Sequence, residues 1–234
     1  MSALQTSPAP VLTGSAVHLR RVTRLFDGLP AVTQVQLEIA EGEIIWLRGT
    51  NGSGKSTLLR VIATALSPTF GEGSVLGHDL RGDRDRIRGR VDLLGHQSRL
   101  YGDLTAEENL RFACTLYGLG RRDTAPALER VGLEEVAHVR AAKFSQGMRQ
   151  RLALARCLLR DPDLVLLDEP YAGLDADARV LVDDLLADAR DRGRTVVLAS
   201  HEAPPEELVG RDVWLDAGRV VQTSANPPVR NGSC

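Results

Sequence analysis

One stretch restricts the folds open to this chain more than any other. Residues 42–49, GEIIWLRG, form a dense apolar run that reads as a central β-strand. The run passes directly into GTNGSGKST at 49–57, and LLRVIATAL at 58–66 then reads as a helix that stops at Ser67-Pro68. Gly49-Thr50-Asn51-Gly52-Ser53-Gly54-Lys55-Ser56 matches the pattern G-x-x-x-x-G-K-[ST], in the strand–loop–helix setting that the pattern requires. Glycines let the backbone wrap closely, so that its N–H groups converge on phosphate oxygens. The helix that follows offers further N–H groups and the positive end of its dipole. Lys55 supplies a point charge for the terminal phosphates, and the Ser56 hydroxyl is placed to hold Mg²⁺. Lysine is scarce in this chain, which has only Lys55 and Lys143, and one of the two sits at this position.

The other strands and helices follow from periodicity. AVHLRRVTRLF and VTQVQLEIA alternate as half-buried strands do, and GSVLGHDL and VDLLG read as short strands. RGDRDRIRGR reads as a solvated charged face. Thr105 and Glu108 form a capping-box pattern, so a helix is expected to start there. TAPALERVGL and residues 145–160 continue the helical stretch, and DLVLLD returns to a buried strand. An amphipathic helix at 176–193, a strand at RTVVLAS, a short helical turn at PPEELV and strand-like RDVWLDAGRVV complete the pattern. Strands that alternate with helices predict an α/β fold with a parallel-rich sheet. Residues 1–15 and 223–234 read as loose ends, around a domain at 16–222 with an inserted helical subdomain at about 98–160.

Composition narrows the partners. A net charge of −2 in 234 residues gives no general attraction to nucleic acid or anionic lipid, and no nucleic acid is expected as a partner. Cys114, Cys157 and Cys234 lack metal-ligand spacing, and the first two fall in apolar helical patterns as core residues. MSALQTSPAP has neither the basic start nor the apolar core of a signal peptide. No apolar run reaches the ~20 residues of a membrane helix.

Two further motifs carry chemistry. Leu164–Leu167 form a buried strand whose first charges, Asp168 and Glu169, appear at its carboxyl end. Ligands bind at that edge in parallel sheets. Asp168 is positioned to hold Mg²⁺, and Glu169 to polarise an attacking water. Phe144-Ser145-Gln146-Gly147-Met148 opens an arginine-rich helix whose Met148, Leu152, Ala155 and Leu159 share one face. Ser145 is either a plain N-cap or part of an anion-binding turn, and the spacing allows both.

Taken together, these residues resemble the ATP-binding subunit of ABC transporters over about 16–221. The stretch 144–151, FSQGMRQR, is similar to that family's LSGGQ-x-Q-R signature, with Gln146 and Met148 departing from it and Thr50 replacing a common proline in the phosphate loop. The family order also holds: phosphate loop, Gln97, signature, Asp168-Glu169, Gly173-Leu174-Asp175, then His201. The resemblance implies a P-loop NTPase fold: a RecA-like, parallel-rich core with an antiparallel β subdomain and an inserted helical signature subdomain. It implies ATP and Mg²⁺ as ligands. Phe26 would stack on adenine, its alternative being a buried strand-end phenylalanine. Gly49, Thr50, Asn51, Gly52, Ser53, Gly54, Lys55, Ser56 and Thr57 would wrap the phosphates. Ser56, Gln97 and Asp168 would hold Mg²⁺, Glu169 would be the general base, and His201 would contact the γ-phosphate. Ser145 and Gly147 would serve a nucleotide bound to the opposite subunit, with Asp175 at the seam, so the unit is a homodimer or heterodimer of such subunits. Its expected partners are integral membrane permease subunits, with this chain peripheral on the cytoplasmic face of the inner membrane.

Residues 93–119 and 144–159, together with the short extension after His201, resemble the cytochrome c maturation (haem exporter, CcmA-type) subgroup. LYGDLT-x-x-ENL is shared with exporters of drugs, lipids or polysaccharides, which are the alternative. A soluble ABC ATPase acting on a non-membrane partner is a third possibility.

Overall fold

The computed structural model describes residues 14–95, 100–174 and 176–225. Two sheets share the work of the fold. The first is antiparallel, in the order β2-β1-β4-β5, from β1 (Ser15–Phe26), β2 (Leu29–Ala40), β4 (Phe70–Val75) and β5 (His78–Asp79). The β1–β2 hairpin turns on Asp27 and Gly28, both at positive φ (48° and 82°), as a two-residue type I′ connection requires. The second sheet has the order β10-β9-β3-β8-β7-β6. Its parallel members are β3 (Ile44–Arg48), β6 (Val91–Leu94), β7 (Leu164–Asp168), β8 (Thr195–Ala199) and β9 (Arg211–Asp216), with β10 (Arg219–Ala225) antiparallel at the edge. Every residue of β7 and β8 is buried, the signature of a parallel strand covered on both faces.

Side-chain alternation along these strands separates two cores. Ile45, Leu47, Leu164, Leu166, Val197 and Ala199 pack with the antiparallel sheet and with α1 (Lys55–Ile62). Ile44, Val165, Leu167, Val196 and Leu198 face the other way, toward α3 (Ala106–Leu116), α4 (Ala125–Arg130), α5 (Gln146–Arg160) and α6 (Ala176–Asp191). Helices α3 to α5 lie between β6 and β7 in the chain. Cys114 and Cys157 are buried as expected, and burial, followed by the charge of Asp92, pushes the Cys157 thiol well up.

The capping box holds as the sequence predicts. Thr105 Oγ1 accepts from Glu108 N at 3.2 Å, and Glu108 Oε2 accepts from Thr105 N at 2.8 Å. Those bonds hold the Glu108 carboxyl below its ordinary value, so the box is intact above the usual carboxylate range and loosens as pH falls through the lowered pKa. Thr105→Ala is expected to destabilise the protein by about 1 kcal/mol, measured by denaturant unfolding at constant slope.

Three boundaries differ from the sequence expectation. Ser15 is part of β1 rather than a loose end: it is buried, and its hydroxyl donates to Val17 O and Ile39 O. Residues 223–225 likewise pair with Asp212 and its neighbours in β9, so β10 runs past the expected end at Gln222. Helix α1 stops at Ile62, short of Ser67-Pro68, because Thr64 turns to φ 55°. The freed Thr64 carbonyl accepts from Arg84 (2.7 Å) and Arg88 (3.0 Å), which belong to α2 (Arg84–Arg90). The charged run at 81–90 is therefore a short helix seated by Ile87 and by these arginines, not merely a solvated face.

Other arginines are engaged in the same way. Arg160, the last residue of α5, is buried against Asp92 of β6 at 3.3 Å, donates to Val91 O at 2.6 Å and lies 4.2 Å from the Tyr117 ring. Removing one member of such a buried pair costs roughly 3–5 kcal/mol, so this end of α5 is firmly seated on the sheet.

Candidate functional site

The loop at 49–54 leaves β3 and closes against the fold from behind. Gly49 has φ 150°, and a Cβ there would fall 2.2 Å from Leu215 O and 2.6 Å from Ser53 Oγ. Gly54 has φ 103°, and a Cβ would fall 2.3 Å from Ala31 O. Neither position admits a side chain. Gly218, at the β9–β10 turn, donates to Ser53 O at 2.9 Å and accepts from Thr33 N at 2.8 Å, tying the loop to both sheets. No side chain caps the first turn of α1 and no acid sits in it, so its N–H groups and dipole face outward.

Six side chains, from the phosphate loop, α1, the end of β7 and the loop after β8, come together here. Lys55 is 6% exposed, and its Nζ donates to Gly49 O at 2.8 Å and Thr50 O at 3.3 Å. The same atom is 3.2 Å from His201 Nε2 and 3.7 Å from Glu169 Oε1. Ser56 Oγ donates to Asp168 Oδ1 at 2.8 Å. Glu169 follows the end of β7 at φ 53°, with its N–H bonded to Ala199 O at 2.7 Å. That turn directs its carboxylate at the loop after β8, where Oε2 accepts from His201 N at 3.2 Å and Oε1 is 3.4 Å from His201 Nε2. His201 Nε2 is also 2.6 Å from Asn51 Oδ1, which closes the ring of contacts back onto the phosphate loop.

This arrangement fits a polyphosphate. Ser53 Oγ is buried with no hydrogen-bond partner among the described residues. A Cβ on Gly52 would meet nothing within 4 Å, so the cradle is open on that side. The donors present are a lysine, loop amides and a helix N-terminus, which together suit phosphate oxygens. Ser56 and Asp168 side by side suit one hard cation; among the described residues no group of three or more His, Cys, Asp or Glu could hold a metal alone. Mg²⁺ ordinarily completes its shell with water and substrate phosphate, so two protein oxygens suffice.

The remaining sequence candidates lie elsewhere. Gln97 and Asp175 fall outside the described residues. Phe26 stands at the tip of the β1–β2 hairpin, 41% exposed, with the Arg24 guanidinium 4.7 Å from its ring centroid, so the buried alternative does not hold. Ser145 is the exposed N-cap of α5, its Oγ accepting from Met148 N at 3.2 Å. Among the described residues no hydrogen bond joins Ser145 or Gly147 to the phosphate loop of the same chain. Gln146, where the signature departs from the common pattern, lays its amide over Gly173: a Cβ on Gly173 would be 3.4 Å from Gln146 Nε2. Sequence spacing gives no sign of that contact.

Known proteins resemble this chain in sequence and in fold. A protein-family model described as "ABC transporter" matches residues 32–172. The chain is 37% identical over 201 residues to the ABC transporter ATP-binding protein NatA of Bacillus subtilis, covering 83% of this chain and 82% of that one. It is 36% identical over 220 residues to the Nod factor export ATP-binding protein I of Rhizobium johnstonii, covering 92% and 71%. It is 34% identical over 225 residues to a fluoroquinolones export ATP-binding protein of Mycobacterium tuberculosis, covering 94% and 75%. Among solved structures, an ATP-binding subunit of an ABC transporter aligns with TM-score 0.83 at 28% identity, covering 90% of each chain. The ATP-binding cassette MJ0796, solved as a post-hydrolysis dimer bound to ADP and Pi, aligns with TM-score 0.79 at 28% identity, covering 89% of this chain and 98% of that one. The chain is a P-loop NTPase in fold, and it belongs to the ABC transporter family as an ATP-binding domain.

Proposed function

We propose that this chain is the ATP-hydrolysing subunit of an ABC exporter. The observation that carries the reading is the convergence of Lys55, Glu169 and His201 within 3.2–3.7 Å of one another over the phosphate loop. Residues 49–57 bind the phosphates through backbone N–H groups, and Lys55 adds a buried positive charge. Ser56 and Asp168 hold Mg²⁺, with Gln97 as a further ligand; the ion, when bound, offsets the negative charge of the phosphates. Glu169 is the general base that takes a proton from water, and His201, fixed by Asn51 and by its own N–H to Glu169, contacts the terminal phosphate. The exposed Phe26 ring stacks on adenine. Ser145 and Gly147 lie outside their own chain's phosphate cluster, which supports a two-subunit arrangement in which they serve the neighbour's nucleotide, with Asp175 at the seam.

Among the described residues no helix is long and apolar enough to cross a membrane. The membrane span is supplied by separate permease subunits, with this chain on the cytoplasmic face. For cargo, the relatives reported above favour the exporter class: two are named for Nod factor and fluoroquinolone export, and none for haem. The haem reading rests on sequence resemblance alone and yields to its alternative. The test is phosphate release by the purified chain with and without Mg²⁺, and c-type cytochrome content after deletion of its gene. Mg²⁺-dependent hydrolysis with unchanged cytochrome content is expected; no hydrolysis sinks the enzymatic reading, and lost c-type cytochromes sink the cargo reading.

A further inference from the structure

The loops carrying Glu169 and His201 leave neighbouring strands, β7 and β8, and both are tied to the same face of α6. Beyond Glu169, Tyr171 is 4% exposed and donates from Oη to Asp183 Oδ1 at 2.6 Å. Burial, followed by the bond to Asp183, pushes its phenol far above the ordinary range, so it stays a donor. Beyond His201, Glu202 forms an ion pair with Arg179, whose guanidinium stands 6.0 Å from the Tyr171 ring centroid. Glu202 N also donates to Ser200 Oγ at 3.0 Å. Arg179 and Asp183 are one turn apart on α6 and share a face. Ala178, Val182 and Leu186, buried in the core, seat that helix. Arg179 and Glu202 are each 43% exposed, and exposed pairs of this kind contribute little to stability. Their arrangement instead bridges the two loops whose spacing sets the chemistry.

We infer that Arg179 and Asp183 are positioning residues for hydrolysis: by holding Glu202 and Tyr171 they fix the spacing between the Glu169 carboxylate and the His201 imidazole. The inference rests on the hydrolytic role proposed for Glu169 and His201. No sequence motif marks these residues, because the pairs join positions 12 and 23 apart on three different elements.

The test uses the purified full chain with Mg-ATP and measures kcat, KM and thermal stability. Arg179→Gln and Glu202→Gln are each expected to lower kcat by about 10- to 100-fold with little change in KM, the scale on which a misplacement of about 1 Å acts. The double variant should be no worse than either single, and the exchanged pair Arg179→Glu with Glu202→Arg should regain most of the rate. Asp183→Ala should lower kcat likewise, and Asp183→Asn, which keeps an acceptor for Tyr171, should recover it. Additive losses in the double variant, or losses confined to KM, overturn the inference. Glu169→Gln in the same assay separates the two levels. If Glu169→Gln hydrolyses normally, the catalytic assignment itself fails; if it is inactive while Arg179→Gln is fully active, only the positioning role fails.

Discussion

Replacing Glu169 with glutamine is expected to lower steady-state ATP hydrolysis by about 10²–10⁴-fold, the usual contribution of a positioned general base, and to leave nucleotide binding in place. The structure makes this substitution a narrow one. A glutamine side-chain oxygen still accepts from His201 N, as Glu169 Oε2 does at 3.2 Å, so the loop after β8 keeps its anchor. What disappears is the capacity to take a proton and the negative charge 3.7 Å from Lys55 Nζ. Loss of that charge beside Lys55 favours an anionic ligand, so affinity for nucleotide should hold or rise. Single-turnover phosphate release and equilibrium nucleotide binding, measured together, check the prediction. Hydrolysis within a few-fold of wild type removes Glu169 from the role of base.

Lys55→Ala should act at the other end of the same site, abolishing measurable hydrolysis and weakening nucleotide binding by about 100-fold or more, as expected when a desolvated charge partner is lost. The side chain is nearly fully buried and donates to Gly49 O and Thr50 O, so its removal also leaves the loop's carbonyls facing one another without a cation. The glycine geometry that shapes the cradle depends on Leu215 and Ala31 rather than on Lys55, so the fold should survive. Unchanged thermal unfolding with lost nucleotide binding is the expected pair of results. Retained hydrolysis would overturn the phosphate-loop assignment.

The features legible in sequence are those written over a few adjacent residues. The phosphate loop, the Thr105–Glu108 box and the all-buried strand ending at Asp168 each encode their structure within a single turn or strand, and each is found where expected. Features set by distant partners were not legible. The end of α1 depends on Arg84 and Arg88 reaching back to Thr64, and the strand character of Ser15 and Ser224 depends on Ala40 and Asp212. In the candidate site, sequence order singles out Lys55, Asp168, Glu169 and His201, but not that Asn51 and His201 touch across 150 positions or that the Gln146 amide lies near Gly173. Ser145 shows why local spacing leaves a choice open. An N-cap and an anion-facing turn use the same hydroxyl in the same place, and only the partner present decides between them. Cargo is the least legible property, because every role proposed for the candidate site concerns nucleotide.

The anchoring of α5 makes that helix a strut between β6 and the turn at Ser145. Its 15 residues run from Gln146 to Arg160, about 22 Å at 1.5 Å per residue. Arg160 is held by Asp92, Val91 and Tyr117, and near the opposite end Arg149 donates to Ala141 O at 3.3 Å and to Ala142 O at 3.0 Å. Leu152, Ala153, Leu154 and Ala155 are buried between them, so the helix is seated along its length and only its first residues, with Ser145 as N-cap, stand exposed. A rod seated in this way carries a displacement at β6 to Ser145 as a shift of the whole helix, without any change inside the helix itself.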